Sequence, residues 1–239
     1  MSIKSNKGQA IILCGHGSKN KNHAEELIIL KKKLKKKITY IDFHHCFIEI
    51  NNPGIEKCIK STINNYNQLY FFPLLLFEGK HMIKDIRDKV NNLSKVHQKK
   101  INLLEKISLS EDILPIIKNI IKRNSKNKLK AIITSCSFSK NKQVKKTLKE
   151  YTENLSKALK IEKKIFHFVG EEKNVLEKIK NEKLENEMIL LHPIFLFNGF
   201  LYKKNIKILS SRLNTSNLLP LFQYEEIISI LSKKLIRIF

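Results

Sequence analysis

The sequence predicts an α/β protein of two similar domains, each a small, doubly wound parallel β-sheet flanked by helices. Three observations predict it. Short continuous apolar runs, such as "AIILC" at 10–14, alternate with longer segments of helical period, the pattern of buried parallel strands joined by helical crossovers. Two different segments recur in the same order at nearly the same offset. Between the copies lies "RNSKNK" at 123–128, polar and without periodicity, as a boundary is.

The repeat is visible residue by residue. "QAIILCGHGSKNK" at 9–21 aligns with "KAIITSCSFSKNK" at 130–142, keeping Ala-Ile-Ile and then Ser-Lys-Asn-Lys. "FPLLLFEGKHMIKDI" at 72–86 aligns with "HPIFLFNGFLYKKNI" at 192–206, matching Pro73 to Pro193, Leu76 to Leu196, Phe77 to Phe197 and Gly79 to Gly199. The expected domains are 1–125 and 126–239.

In the first copy "AIILC" is a buried strand, and "HAEELIILKKKLKKK" a helix burying Ala24, Leu27, Ile28 and Leu34 opposite a lysine face. Strand "YIDFHHCFIEI" leads to helix "PGIEKCIKSTINN", with Pro53 at its mouth. Strand "QLYFFPLLLF", helix "HMIKDIRDKVNNL", strand "KINLLEKI" and helix "DILPIIKNIIKR" complete it. The second copy repeats the scheme from "KAIITS" to the final helix "YEEIISILSKKLIRI".

Lysine and arginine number 46 against 22 acids, a formal net charge of +24, which invites nucleic acid as a partner. The lysines are spread along the whole chain, and no helix-turn-helix, RNP or zinc-finger pattern accompanies them, so nucleic acid is not expected. The charge suits a polyanionic small molecule instead. Cys14, Cys46, Cys58 and Cys136 form no CxxC and read as reduced thiols of a cytosolic protein. The longest apolar stretch, "LYFFPLLLF" at 69–77, is half of what a membrane span needs, and the N-terminal apolar run is too short for a secretory signal. A cytoplasmic location without a membrane partner is the expectation.

Ligands of doubly wound sheets bind where strands give way to helices. Those junctions carry His16 after the first strand, Glu49 late in the second and His81 just after the third. Gly15 and Gly17 supply a tight turn, and their backbone N–H groups with that of Ser18 can receive an anion. His44 and His45 are set aside as structural, because neighbours on a strand face opposite sides. The repeat acts as an internal control: the second copy has Ser137, Val169 and Leu201 at the matching positions while keeping the apolar frame. Joint loss of three polar side chains points to one chemical site, in the first copy.

These motifs resemble the class II tetrapyrrole chelatases of the sirohydrochlorin type, in their long, two-domain CbiX form. The likeness lies in "LCGHGS", "CFIEINNPGIEKCI" and "FPLLLFEGKHMIKDI", similar to the family's GHGS, F-x-E-x-x-x-P and P-x-x-L-x-x-G-x-H-x-x-x-D-I in order and spacing. The resemblance implies a chelatase-like fold with the active site in the interdomain cleft, the second domain forming the other wall. It implies insertion of cobalt or iron into sirohydrochlorin, for cobalamin or siroheme synthesis, by a fused chain able to act as a monomer. It maps the metal-binding histidines onto His16 and His81 and the acidic partner onto Glu49. No cofactor is expected beyond the divalent metal substrate, Co²⁺ or Fe²⁺.

Two imidazoles and a carboxylate suit this chemistry: they are intermediate ligands for Fe, Co, Ni and Zn, and three of them leave coordination positions open. Either His81 or Glu49 accepts the pyrrole protons. Lys19, Lys80, Lys84 and Arg87 flank the first-copy motifs, and Lys140, Lys203 and Lys204 the second-copy loops, all suited to the substrate's carboxylates. A metal or tetrapyrrole carrier without turnover is the alternative, and no feature fixes the metal or separates sirohydrochlorin from its less oxidised precursor.

Overall fold

The computed structural model describes residues 7–18, 21–77, 80–97, 101–124 and 128–239, the side chains of residues 7, 21–23, 80–83 and 85 apart. The chain forms two compact units. Unit 1 comprises Met1–Ile107 and Ile228–Phe239, and unit 2 comprises Ser108–Ile227. The first unit thus takes the C-terminal tail, and the second takes the helix that closes the first sequence copy.

In unit 1, β1 (Lys7–Gly15), α1 (Lys21–Lys37), β2 (Asp42–Phe47), α2 (Ile55–Thr62), β3 (Tyr66–Pro73), α3 (Lys80–Val96) and β4 (Ile101–Leu103) follow in order. Its sheet has the order β2-β1-β3-β4, all parallel, with Cys14 beside both Cys46 and Pro73. The central strand β1 is buried from Ala10 to Cys14, which is why it reads as an unbroken apolar run rather than an alternating one. On one face Ala10, Ile12 and Cys14 pack with Cys58 and Ile59 of α2 and Ile86, Val90 and Leu93 of α3.

Helix α1 buries Leu27, Leu30 and Leu34, with Ile38 just beyond its end. Leu30 takes the place expected of Ala24 and Ile28, which are only half-buried. Strand β2 is shorter than the apolar pattern predicts, so Glu49 lies in the turn beyond it rather than late in the strand. The expected fourth strand shrinks likewise to three residues.

In unit 2, α4 (Leu114–Asn124) opens through a π-helical turn, Leu109–Ile113, capped by Ser108, whose hydroxyl accepts from the Glu111 N–H. Then come β5 (Ala131–Cys136), α5 (Lys142–Leu159), β6 (Lys163–Phe168), α6 (Glu172–Asn181), β7 (Ile189–Pro193), α7 (Phe200–Ser210) and β8 (Thr215–Asn217). The sheet order β6-β5-β7-β8 repeats that of unit 1 strand for strand, again all parallel. The last helix, α8 (Glu225–Ile236), begins in unit 2, where Glu226 accepts from Arg123 at 2.6 Å. It ends in unit 1, where the Phe239 ring meets Tyr70 edge-on at 4.7 Å. Among the described residues no helix is long and apolar enough to cross a membrane.

Candidate metal site

The site is built on two loops at the carboxyl edge of unit 1's sheet. After Gly15 the pairing of β1 with β2 continues past both strand ends: Ile48 N–H donates to the Gly15 carbonyl at 2.9 Å and Glu49 N–H to the His16 carbonyl at 3.2 Å. These bonds set the two loops side by side, and His16 Nε2 comes 3.3 Å from Glu49 Oε1 with both side chains about half exposed. An imidazole and a carboxylate open to solvent can exchange protons and ligands with it, which a buried pair cannot.

Gly17 explains the second glycine of the motif. Its φ is +97°, and a Cβ there would lie 1.9 Å from the Glu49 carbonyl oxygen. Only glycine permits both the left-handed conformation and that approach. Gly15 has a different reason: a Cβ would sit 3.1 Å from Leu27 Cδ2 of α1. Beyond Glu49 the chain reverses, with Ile50 at φ +68° and Asn51 N–H donating to the Glu49 carbonyl at 2.8 Å. The Asn51 side chain returns to the first loop, its Oδ1 accepting the Ser18 N–H at 2.6 Å. This corrects the expectation that the Ser18 amide is open to an anion, because Asn51 occupies it. Asn51 is the site residue that sequence reasoning missed; an Asn two residues past a loop carboxylate carries no signal until the fold places it.

His81 is the second residue of α3, which follows the neighbouring strand β3, and its side chain lies outside the described residues, as does that of Lys80. Lys84 is exposed on the same helix. Among the described residues no three His, Cys, Asp or Glu side chains come together as a metal-binding group. Beside the Glu49 turn, a groove of about 1010 Å³ between α2 and α3 has Ile48, Ile55 and Leu93 on its floor and Lys57 and Lys89 on its walls.

The remaining first-unit candidates are structural. His44 Nε2 lies 2.9 Å from the Tyr66 hydroxyl, which donates to Asp42 Oδ2 at 3.0 Å. His45 Nδ1 accepts from Lys31 Nζ at 3.3 Å, and burial followed by the Lys31 charge pushes its pKa down. Cys14, Cys46 and Cys58 are all buried beneath the site. A hydrogen bond with Cys14 is the largest influence pushing the Cys46 thiol up, and one with Cys46 does the same to Cys58. Cys46 and Cys58 therefore stay protonated and are poor metal ligands at neutral pH.

Unit 2 repeats the backbone without the ligands. Val169 N–H donates to the Cys136 carbonyl at 2.9 Å, the counterpart of Ile48 to Gly15. The match to Glu49 is therefore Gly170, one residue later than the alignment expected, with Ser137 matching His16 and Leu201 matching His81 as second residue of its helix. Beneath this edge Ser135 Oγ donates to Asn205 Oδ1 at 2.9 Å, and Asn205 Nδ2 donates to Glu172 Oε1 at 3.2 Å and faces His167 Nε2 at 3.4 Å. All four are buried.

A two-unit α/β chain with an imidazole and a carboxylate paired and half exposed at the carboxyl edge of one sheet, and no such exposed pair at the other among the described residues, defines an asymmetric duplicated α/β protein. Residues 10–124 match the model of the CbiX family. Over the whole chain the fold is similar to that of SirB from Bacillus subtilis with Fe³⁺, at 18% identity and TM-score 0.76, covering 95% of this chain and 94% of that one. The sirohydrochlorin chelatase SirB from Bacillus subtilis subspecies spizizenii in complex with cobalt is similar at 17% identity and TM-score 0.70, covering 93% and 92%. CbiX, the terminal enzyme for siroheme biosynthesis in denitrifying bacteria, is similar at 9% identity and TM-score 0.67, covering 97% and 99%. At these identities the likeness establishes the fold. No curated protein sequence matches the chain.

Proposed function

We propose that this protein is a sirohydrochlorin chelatase, a lyase that inserts divalent cobalt or iron into sirohydrochlorin in the cytoplasm. The observation that carries the reading is the half-exposed His16–Glu49 pair, held by Gly17's close approach inside the segment that matches the CbiX family. The folds of SirB with Fe³⁺ and with cobalt support it.

Insertion requires a metal held loosely, two pyrrole N–H protons removed, and a macrocycle held so that its nitrogens can replace protein ligands. His16, Glu49 and His81 supply two neutral nitrogens and one carboxylate, enough to hold Co²⁺ or Fe²⁺ while leaving positions for the incoming nitrogens. As the metal transfers, Glu49 or His81 takes the pyrrole protons and passes them to water, which the exposure of the pair permits. Lys84 and the lysines of the α2–α3 groove suit the substrate's carboxylates.

Mixing protein with sirohydrochlorin and Co²⁺ or Fe²⁺, and following the macrocycle's visible absorbance, tests the proposal. Multiple turnovers above the uncatalysed rate are expected, and stoichiometric binding without turnover would make the protein a carrier instead. His16→Ala, Glu49→Gln and His81→Ala each lower the rate roughly 100-fold or more while the fold persists. Full activity in all three would remove these residues from the chemistry.

A further inference from the structure

The edge of unit 2 that matches the metal-site edge of unit 1 carries aromatic rings where unit 1 carries glycine and lysine. By register Phe138 stands at the position of Gly17 and Phe200 at that of Lys80, the first residue of the helix. Among the described residues they are the two most exposed phenylalanines, at 62% and 65%, and Leu201 beside Phe200 is exposed as well. Scattered exposed apolar residues are ordinary, but these three follow the ends of adjacent strands, β5 and β7, at one sheet edge. Phe138 is steadied by an edge-on contact with the Phe168 ring at 5.7 Å.

The charge around the rings is one-sided. Lys140 is exposed on the loop after β5, and Lys203 and Lys204 are exposed on α7, which Phe200 opens. The acids at this edge face inward to the backbone: Glu171 Oε2 accepts from Phe168 N–H at 2.9 Å, and the Glu172 carboxylate from Gly170 N–H at 3.0 Å. Apolar faces within a cationic rim, with carboxylates occupied, fit a flat aromatic molecule bearing carboxylates at its periphery.

We infer that Phe138 and Phe200 form the seat on which the tetrapyrrole lies, with Lys140, Lys203 and Lys204 taking its peripheral carboxylates; this rests on the function proposed above.

The test is equilibrium titration of sirohydrochlorin into the metal-free full-length protein, followed by protein-induced absorbance change, for wild type, Phe138→Ala/Phe200→Ala and Phe138→Tyr/Phe200→Tyr. The alanine pair weakens binding roughly tenfold or more, the tyrosine pair stays within about twofold, and Co²⁺ binding followed by its own visible absorption is unchanged in both. Wild type that fails to bind sirohydrochlorin overturns the proposed function and this seat together. Wild type that binds, with an alanine pair that binds equally well, overturns the seat alone. Self-association of wild type that the alanine pair abolishes, with macrocycle affinity unchanged, assigns the patch to contact between copies and also overturns the seat.

Discussion

The carboxyl edges of the two sheets are laid out on one backbone plan and filled with opposite chemistry. In unit 1 the edge presents His16 and Glu49 to solvent, and the space beneath holds three buried thiols, Cys14, Cys46 and Cys58. In unit 2 it presents Ser137, Phe138 and Phe200, and the space beneath, at the register of Cys14 and Cys46, holds Ser135 and His167 joined to Asn205 and Glu172. Burial works against the Glu172 charge, but hydrogen bonds from backbone N–H groups and Asn205 outweigh it and hold the carboxylate low. The difference teaches that the fold does not need the polar triad of the first copy. It needs a filled, satisfied layer under the loops, which thiols or a closed hydrogen-bonded network provide equally.

The sharpest break of this comparison pairs two glycines. Gly17→Ala puts a Cβ into the Glu49 carbonyl, prises the two loops apart and lowers metal insertion roughly 100-fold or more, since small misplacements of ligands cost that much. Gly170→Ala meets no atom within 4 Å and bears only the strain of φ +113°, about 1–2 kcal/mol of stability, with insertion little changed. Equal losses of activity in the two would show that the edges are not functionally distinct.

Asn205→Ala opens the unit 2 network, taking that partner from Ser135 Oγ and His167 Nε2 in the interior and leaving Glu172 its backbone hydrogen bonds. A loss of about 2–4 kcal/mol in chemical denaturation is expected, and a loss under 1 kcal/mol would mean that water re-satisfies the groups.

A smaller, pH-dependent effect comes from His192, fully buried on β7 with Nε2 at 2.9 Å from the Tyr151 hydroxyl. Burial lowers its pKa from 6.5 to about 3. Between those values the unfolded chain binds a proton that the folded one refuses, so stability is lost as pH falls below 6.5, by about 2 kcal/mol at pH 5. Phe72 holds the matching place in unit 1, so His192→Phe should flatten the fall in Tm between pH 7 and pH 5; an unaltered slope would assign it elsewhere.

The smallest effect is expected at the rim of the unit 1 groove, where Lys60 pairs with Glu56 at 2.6 Å in full solvent. Glu56→Gln leaves both Tm and activity unchanged within error, because exposed pairs are screened and loosely held.

Much of this was legible in the linear chain. Unbroken apolar runs such as 10–14 gave away buried parallel strands, and the paired prolines and glycines of 72–86 and 192–206 gave away the duplication, because a repeated backbone demands the same small and rigid residues at the same bends. The isolation of His16, Glu49 and His81 in one copy was equally plain. The exact partner of Glu49 in the second copy was not, since an alignment counts letters while the match to Gly170 is set by a hydrogen bond between loops.

What the order of amino acids determined by itself is the alternation of strand and helix, the doubling, and which side chains are chemically able to hold a metal, for these depend on local period and residue type. The tertiary structure alone decided that Ser18 is spent on Asn51, that Gly17 lies against a carbonyl, and that the chain's last residues join the first unit. Such contacts join residues far apart along the chain, and their distances follow from packing, which no local pattern encodes.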